Sequence, residues 1–113
     1  MKAPDGPLYI ATRIAKYPSY GCLVHPNSII NIIIEELLFV KQIHRDFYFS
    51  TNTWMQTCKG FLYPPQGSIS LSVEVCGKVV NSTLIVIPTF DQFQVKLGLP
   101  WLTSIQDIAF PFH

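Results

Sequence analysis

Charge is scarce in this sequence. Of 113 residues, 13% are Asp, Glu, Lys or Arg, about half the ~25% usual in a soluble domain. Eight Lys and Arg against seven Asp and Glu leave a formal net charge of +1, too weak a field to hold nucleic acid by bulk electrostatics. Disorder is excluded on the opposite ground: 49% of the residues are hydrophobic, and disorder needs low hydrophobicity with high net charge. No run approaches the roughly 20 apolar residues of a membrane span. The greasiest stretch, 29–40, is interrupted by Asn31, Glu35 and Glu36. The opening segment Met1–Pro7 does not read as a signal peptide, because no apolar segment follows Lys2 before Arg13 and Lys16. These absences predict an intracellular domain with no membrane and no nucleic-acid partner. At this length the expectation is one domain, 1–113, with one core.

Cysteine is sparse as well. Cys22, Cys58 and Cys76 are odd in number and show no CxxC spacing, which argues for reduced thiols. Asn81-Ser82-Thr83 fits a glycosylation acceptor, but without a secretory route it reads as strand. His25, His44 and His113 lie far apart and none stands at ligand spacing from a cysteine, so neither a metal site nor a cofactor is expected. No P-loop, GxGxxG or GxSxG elbow is present. His25 follows Cys22 by three residues, which on a strand puts them on opposite faces. Glu35-Glu36 reads as the solvent face of a helix. From the residues alone, nothing demands an enzyme.

What is abundant is strand-forming sequence. Leu8–Ile14 and Tyr20–Val24 read as a hairpin around Pro18, and His25-Pro26-Asn27-Ser28 as a tight polar turn. Ile32–Val40 is predicted to be a short helix, and 47–59 one or two strands. Pro64-Pro65 and Gly67 mark an apolar loop over 60–67. Ile69, Leu71, Val73 and Val75 alternate with Ser68, Ser70, Ser72 and Glu74, the period of a strand with one buried face. Gly77-Lys78 turns it into Val79–Ile87. Gln94–Leu97 is a further strand, Trp101–Ile105 a helical turn, and Phe110-Pro111-Phe112 a candidate edge strand. About seven short strands and two short helices indicate a small β-barrel or sandwich.

The order of these pieces is informative. Cys22-Leu23-Val24, a tight turn and Ser28-Ile29-Ile30-Asn31-Ile32-Ile33 come first. Much later follow Gly67-Ser68-Ile69-Ser70-Leu71, a hairpin, and Val95-Lys96-Leu97-Gly98-Leu99-Pro100-Trp101-Leu102. This resembles the retropepsin-like aspartic proteases of gypsy-type long-terminal-repeat retrotransposons over about residues 8–105. There the first turn reads hydrophobic-hydrophobic-Asp-x-Gly-Ser/Ala-Ser, and the end reads hydrophobic-Leu-Gly-x-x-Trp-Leu.

The resemblance implies a mainly β fold, a small closed barrel of the acid-protease type with one or two short helices. It also implies a homodimer whose groove takes an extended peptide. The family's catalytic Asp corresponds to His25, its Gly to Asn27, and Ser28 keeps the small residue that braces the turn. Phe61, Leu62, Tyr63 and Gly67 correspond to the flap over the substrate, and Leu97, Gly98 and Leu99 to a structural turn beside the active site. The expectation is a retrotransposon-derived domain that is catalytically inactive because His25 replaces the Asp. Its alternatives are an endopeptidase using a partner's Asp or Cys22 with a histidine, and a peptide-binding β-module using the same groove. The ending soon after Leu97-Gly98-Leu99-Pro100-Trp101-Leu102 is that expected of a piece of a longer polyprotein.

Overall fold

The computed structural model describes residues 8–57 and 59–109. Its elements are β1 (Leu8–Ile14), β2 (Tyr17–Val24), β3 (Ile32–Ile34), α1 (Glu35–Val40), a 3₁₀ turn (Arg45–Phe47), β4 (Met55–Gln56), β5 (Leu62–Tyr63), β6 (Gly67–Val75), β7 (Lys78–Ile87), β8 (Val95–Leu97) and α2 (Leu99–Ala109). Six strands close a barrel in the order β1-β2-β8-β3-β7-β6, while β4 and β5 form a separate two-stranded sheet. The mainly β barrel expected from the sequence is therefore present, with eight strands among the described residues rather than seven.

Two hairpins supply most of the wall. Ile14 pairs with Tyr17 across Ala15-Lys16, and Val75 pairs with Lys78 across Cys76-Gly77. All four turn residues have positive φ, at 50°, 72°, 51° and 78°. Two such residues make the turn whose twist matches that of the flanking strands. The second strand begins earlier than expected and includes Pro18, which faces Arg13 of β1. Only Cys22–Val24 of β2 pair with β8, so Pro18 sits where no ladder donor is required on its other side.

The run of isoleucines departs from the sequence expectation. Ile32–Ile34 are strand, and the helix starts only at Glu35. β3 is central, parallel to β7 and antiparallel to β8, and its three side chains are all buried. A strand covered on both faces loses its alternation and cannot be told from a buried helix by period alone. The last helix is longer than expected, Leu99–Ala109 instead of 101–105. Phe110–Phe112 lie outside the described residues.

The core fills the barrel with Ile14, Ile32, Ile33, Leu38, Ile69, Val73, Leu84, Val86, Ile87, Val95 and Leu97, all fully or nearly fully buried. Trp101 anchors α2 to the barrel at 4% exposure. Glu35 corrects a second expectation. It is buried at 6% and held by Arg45 Nε at 3.0 Å, Arg45 Nη2 at 2.7 Å and the Tyr48 hydroxyl at 2.9 Å; only Glu36 faces solvent. This cluster ties the start of α1 to the chain that leads into β4.

Candidate functional site

The loop from His25 to Asn31 joins β2 to β3, which are not neighbours, since β8 lies between them. The loop must therefore step across the end of β8, and the hydrogen bonds record that crossing. His25 N–H donates to Leu97 O at 2.9 Å, and Leu99 N–H donates to Ser28 O at 2.7 Å. Gly98 N–H donates to Asn31 Oδ1 at 2.8 Å. Asn31 Nδ2 in turn donates to Thr83 O on β7 at 3.2 Å, and Asn31 O accepts Ile85 N–H at 2.8 Å. Asn31 thus spans three segments. In the sequence it looked like a mere break in an apolar run.

Gly98 is required by this approach. A Cβ there would lie 2.5 Å from Ser28 O and 2.6 Å from Ile30 O, both backbone atoms. Inside the turn, Ser28 N–H donates to His25 O at 3.0 Å, and the Ser28 hydroxyl donates to Ile30 O at 2.8 Å. The turn is closed by its own small residue, as a hydroxyl in a tight turn allows. Leu97 is buried, and Leu99 is half-exposed beside the turn.

His25 lines a cavity of about 440 Å³ together with Leu23, Ser28, Ile30, Trp54, Met55, Phe93 and Lys96, among others. Its Nδ1 is buried and bonded to no described atom. Leu23 of β2 and His25, one residue past its end, both line the cavity, and Leu23 stands in register with Lys96 on β8. The Lys96 ammonium lies 5.7 Å from the centre of the Phe93 ring. The described lining residues hold one Lys, one His and no Asp or Glu.

Cys22 is turned away from this cavity. It is fully buried, with its Sγ 3.0 Å from Thr12 Oγ1. Burial pushes its thiol up, against the smaller opposing effects of Thr12 and Lys41. A thiol in that state is a poor nucleophile.

The hairpin over the cavity is displaced from the sequence expectation. β4 and β5 pair Met55 with Tyr63 and Gln56 with Leu62, turning at Gly60 with φ +86°. The described cavity wall is built by Thr53–Thr57, and Phe61, Leu62, Tyr63 and Gly67 are not among its lining residues. Phe61 and Leu62 are exposed. Tyr63 supports the wall from behind, packing edge-on against the Phe90 ring at 5.5 Å. Gly67 starts β6, where a Cβ would press on Phe49 O and Tyr48 Cβ, each at 3.0 Å. Of the residues missed by sequence reading, Trp54, Met55, Gln56, Phe90, Gln92 and Phe93 lie in segments that carry no motif, and Lys96 stands just before the Leu97-Gly98-Leu99 turn without being singled out.

Solved structures provide the comparison. EIAV protease in complex with the inhibitor HBY-793 superimposes with a TM-score of 0.71 at 11% identity, covering 93% of each chain. The fold is that of the retropepsins. The retroviral protease-like domain of Ddi1 from Leishmania major matches with a TM-score of 0.66 at 15% identity, over 94% of this chain and 78% of that one. A retropepsin-like aspartic protease from Rickettsia conorii gives 0.65 at 19%, over 90% and 82%. No family profile matches the sequence, and no curated protein matches it. Among the described residues, no helix is long and apolar enough to cross a membrane, and no three or more His, Cys, Asp or Glu side chains group as metal ligands.

Proposed function

We propose that this chain is a retropepsin-like domain of retrotransposon origin, intracellular, that does not perform aspartic proteolysis through its first turn. In this reading it keeps a groove, completed by a second copy of the chain, for an extended peptide. The observation that carries the reading is the cavity wall: His25 occupies the turn, and no carboxylate is among the described lining residues. Aspartic proteolysis rests on two carboxylates sharing one proton and activating water, and imidazole does not replace a carboxylate in that pair. The cysteine route is disfavoured because Cys22 is fully buried on the opposite side of β2.

Binding without turnover fits the rest of the cavity. Its wall combines aromatic and aliphatic side chains with a short strand, Met55–Gln56. An extended peptide adds to such a strand by main-chain hydrogen bonds, with pockets for alternate side chains. Ile29 at 79% exposure and Leu99 at 50% stand beside the turn, which supports coverage by a second copy.

The test is peptide cleavage by the purified chain between about pH 4 and 7, whose acid end lets a carboxylate pair keep its shared proton. No turnover is expected, and pepstatin-sensitive turnover overturns the reading. The double variant His25→Asp, Asn27→Gly is expected to gain weak pepstatin-sensitive cleavage. Light scattering is expected to return the mass of a dimer, and a strict monomer at tens of micromolar removes the shared groove.

A further inference from the structure

We propose that the outer edge of β1 pairs with the same edge of a second copy, joining two barrels through an antiparallel strand pair. This contact is separate from the groove and does not depend on it. β1 outruns its neighbour. It meets β6 only at Arg13–Glu74 and Ile14–Val73. Continuing that register sets Ala11 opposite Cys76, which already belongs to the turn after β6. A shallow cavity of about 330 Å³, lined by Ala11, Thr12, Arg13, Glu74, Cys76 and Gly77 among others, opens where the ladder stops. No described strand covers Leu8–Ala11 on that side.

A proline tells which backbone groups of that edge face outward. Pro18 lies opposite Arg13 and has no N–H to give. Arg13 is therefore a non-hydrogen-bonded position toward β2, and its own N–H and C=O point to β6. By the two-residue period, those of Ala11 and Tyr9 point the same way. The irregularity beside Ala11 adds its extra residue to β2, between Ser19 and Cys22, and leaves β1 unbroken. Outward positions on either side of Ile10 make the edge self-complementary. Turned about a two-fold axis through Ile10, each Tyr9 exchanges its hydrogen bonds with the partner's Ala11, and Ile10 meets the partner's Ile10 as a close cross-strand pair.

A second copy is the occupant because the edge matches its own image in charge as well. Leu8 to Thr12 carry no charged side chain. The nearest charge, Arg13, stands at the far end of the pair and is joined to Glu74 at 3.7 Å. Leu8 and Tyr9 are 51% and 47% exposed, and a neighbouring strand covers part of both. Lysine, proline and inward-pointing charge are the side chains that keep a free edge from pairing, and Leu8 to Thr12 contain none of them.

The experiment is residue-resolved hydrogen exchange on the full chain from about 20 µM to about 1 mM, the range in which so small a contact associates. The Tyr9 and Ala11 amides are expected to slow by about fourfold at the upper end, the protection of a chain about three-quarters paired. The Ile10 and Thr12 amides, turned toward β2, are expected not to change. Ala11→Pro removes an outward N–H, which an edge strand tolerates, and is expected to abolish the slowing at Tyr9. Leu8→Lys places a charge on the edge at an exposed position and is expected to do the same. If circular dichroism shows the proline variant unfolded, the lysine variant carries the test. Leu99→Glu, which disturbs the face beside the groove, is expected to leave the slowing intact. Rates at Tyr9 and Ala11 that do not depend on concentration overturn the proposal, and so does slowing that survives the edge variants in a folded chain. Both results leave the groove reading standing. Slowing that disappears with Leu99→Glu assigns the contact to the groove dimer and overturns the edge pair.

Discussion

Replacing Gly98 with Ala tests the account of how the His25 turn is held. The new methyl carbon starts 2.5 Å from Ser28 O and 2.6 Å from Ile30 O, so each oxygen has to retreat by about half an ångström to reach a tolerable contact. Neither is free to do so. Ser28 O accepts Leu99 N–H at 2.7 Å, and Ile30 O accepts the Ser28 hydroxyl at 2.8 Å. Weakening two such bonds costs about 0.5–1.5 kcal/mol each, and forcing a methyl into a packed site costs about 1–3 kcal/mol more. The sum is about 2–6 kcal/mol, a large share of the roughly 5–15 kcal/mol that holds a domain folded.

Urea denaturation reads this directly. At an m-value of about 1.5 kcal/mol/M, the midpoint is expected to fall by roughly 1.3–4 M with the slope unchanged. Gly60→Ala is the control. It introduces a side chain at φ +86° with nothing within 4 Å, so only backbone conformation is perturbed, at about 1 kcal/mol. If Gly98→Ala costs no more than Gly60→Ala, the close approach of the crossing loop is not what demands glycine at 98, and the reasoning fails.

Glu35→Gln is expected to cost about 2 kcal/mol, because it removes the charge from a buried carboxylate that accepts from Arg45 and Tyr48. Arg45 hydrogen bonding, with help from Tyr48, holds the Glu35 carboxyl below its ordinary range despite the opposing effect of burial. Its stabilisation is therefore fully present above the unfolded carboxylate value and is lost as pH falls through the lowered folded one. The stability gap between native chain and variant should stay constant from about pH 5 to 7 and close below about pH 4; a gap that widens in acid refutes the pairing. Cys76 is exposed and Cys22 buried. Iodoacetamide should therefore alkylate Cys76 in the folded chain and Cys22 only after denaturation, and equal rates by peptide mapping contradict the core position of Cys22.

The legible parts of this fold are those whose signal is local. The strand over 68–75 announced itself by alternation because Ile69 and Val73 of β6 face the core while Ser70 and Ser72 lie on its more exposed side. The His25 turn was legible because Pro26, Asn27 and Ser28 are neighbours in sequence. Ile32–Ile34 were misread because their environment is set by β7 and β8, which are more than 50 residues away in the chain. Glu35 was misread for the same reason: its Arg45 partner reaches it from beyond the helix. The cavity wall is the extreme case. Thr53–Thr57, Phe90, Phe93 and Lys96 meet only after the barrel closes, and none carries a pattern that reports the meeting.

This division also separates the course of the His25 loop from the side chain it presents. The contacts that fix the turn use the His25 backbone N–H and O, the Ser28 hydroxyl, the Asn31 amide and the absent side chain of Gly98. None uses the imidazole, whose Nδ1 has no described partner. The side chain at 25 is therefore decoupled from the geometry that presents it, and a change there alters what the cavity attracts without altering where the loop runs. Position 98 is the reverse case: its side chain never meets a ligand, yet any atom added there moves the loop. Substitutions at 25 should register in binding and leave the urea midpoint almost unmoved, whereas substitutions at 98 should register in the midpoint first.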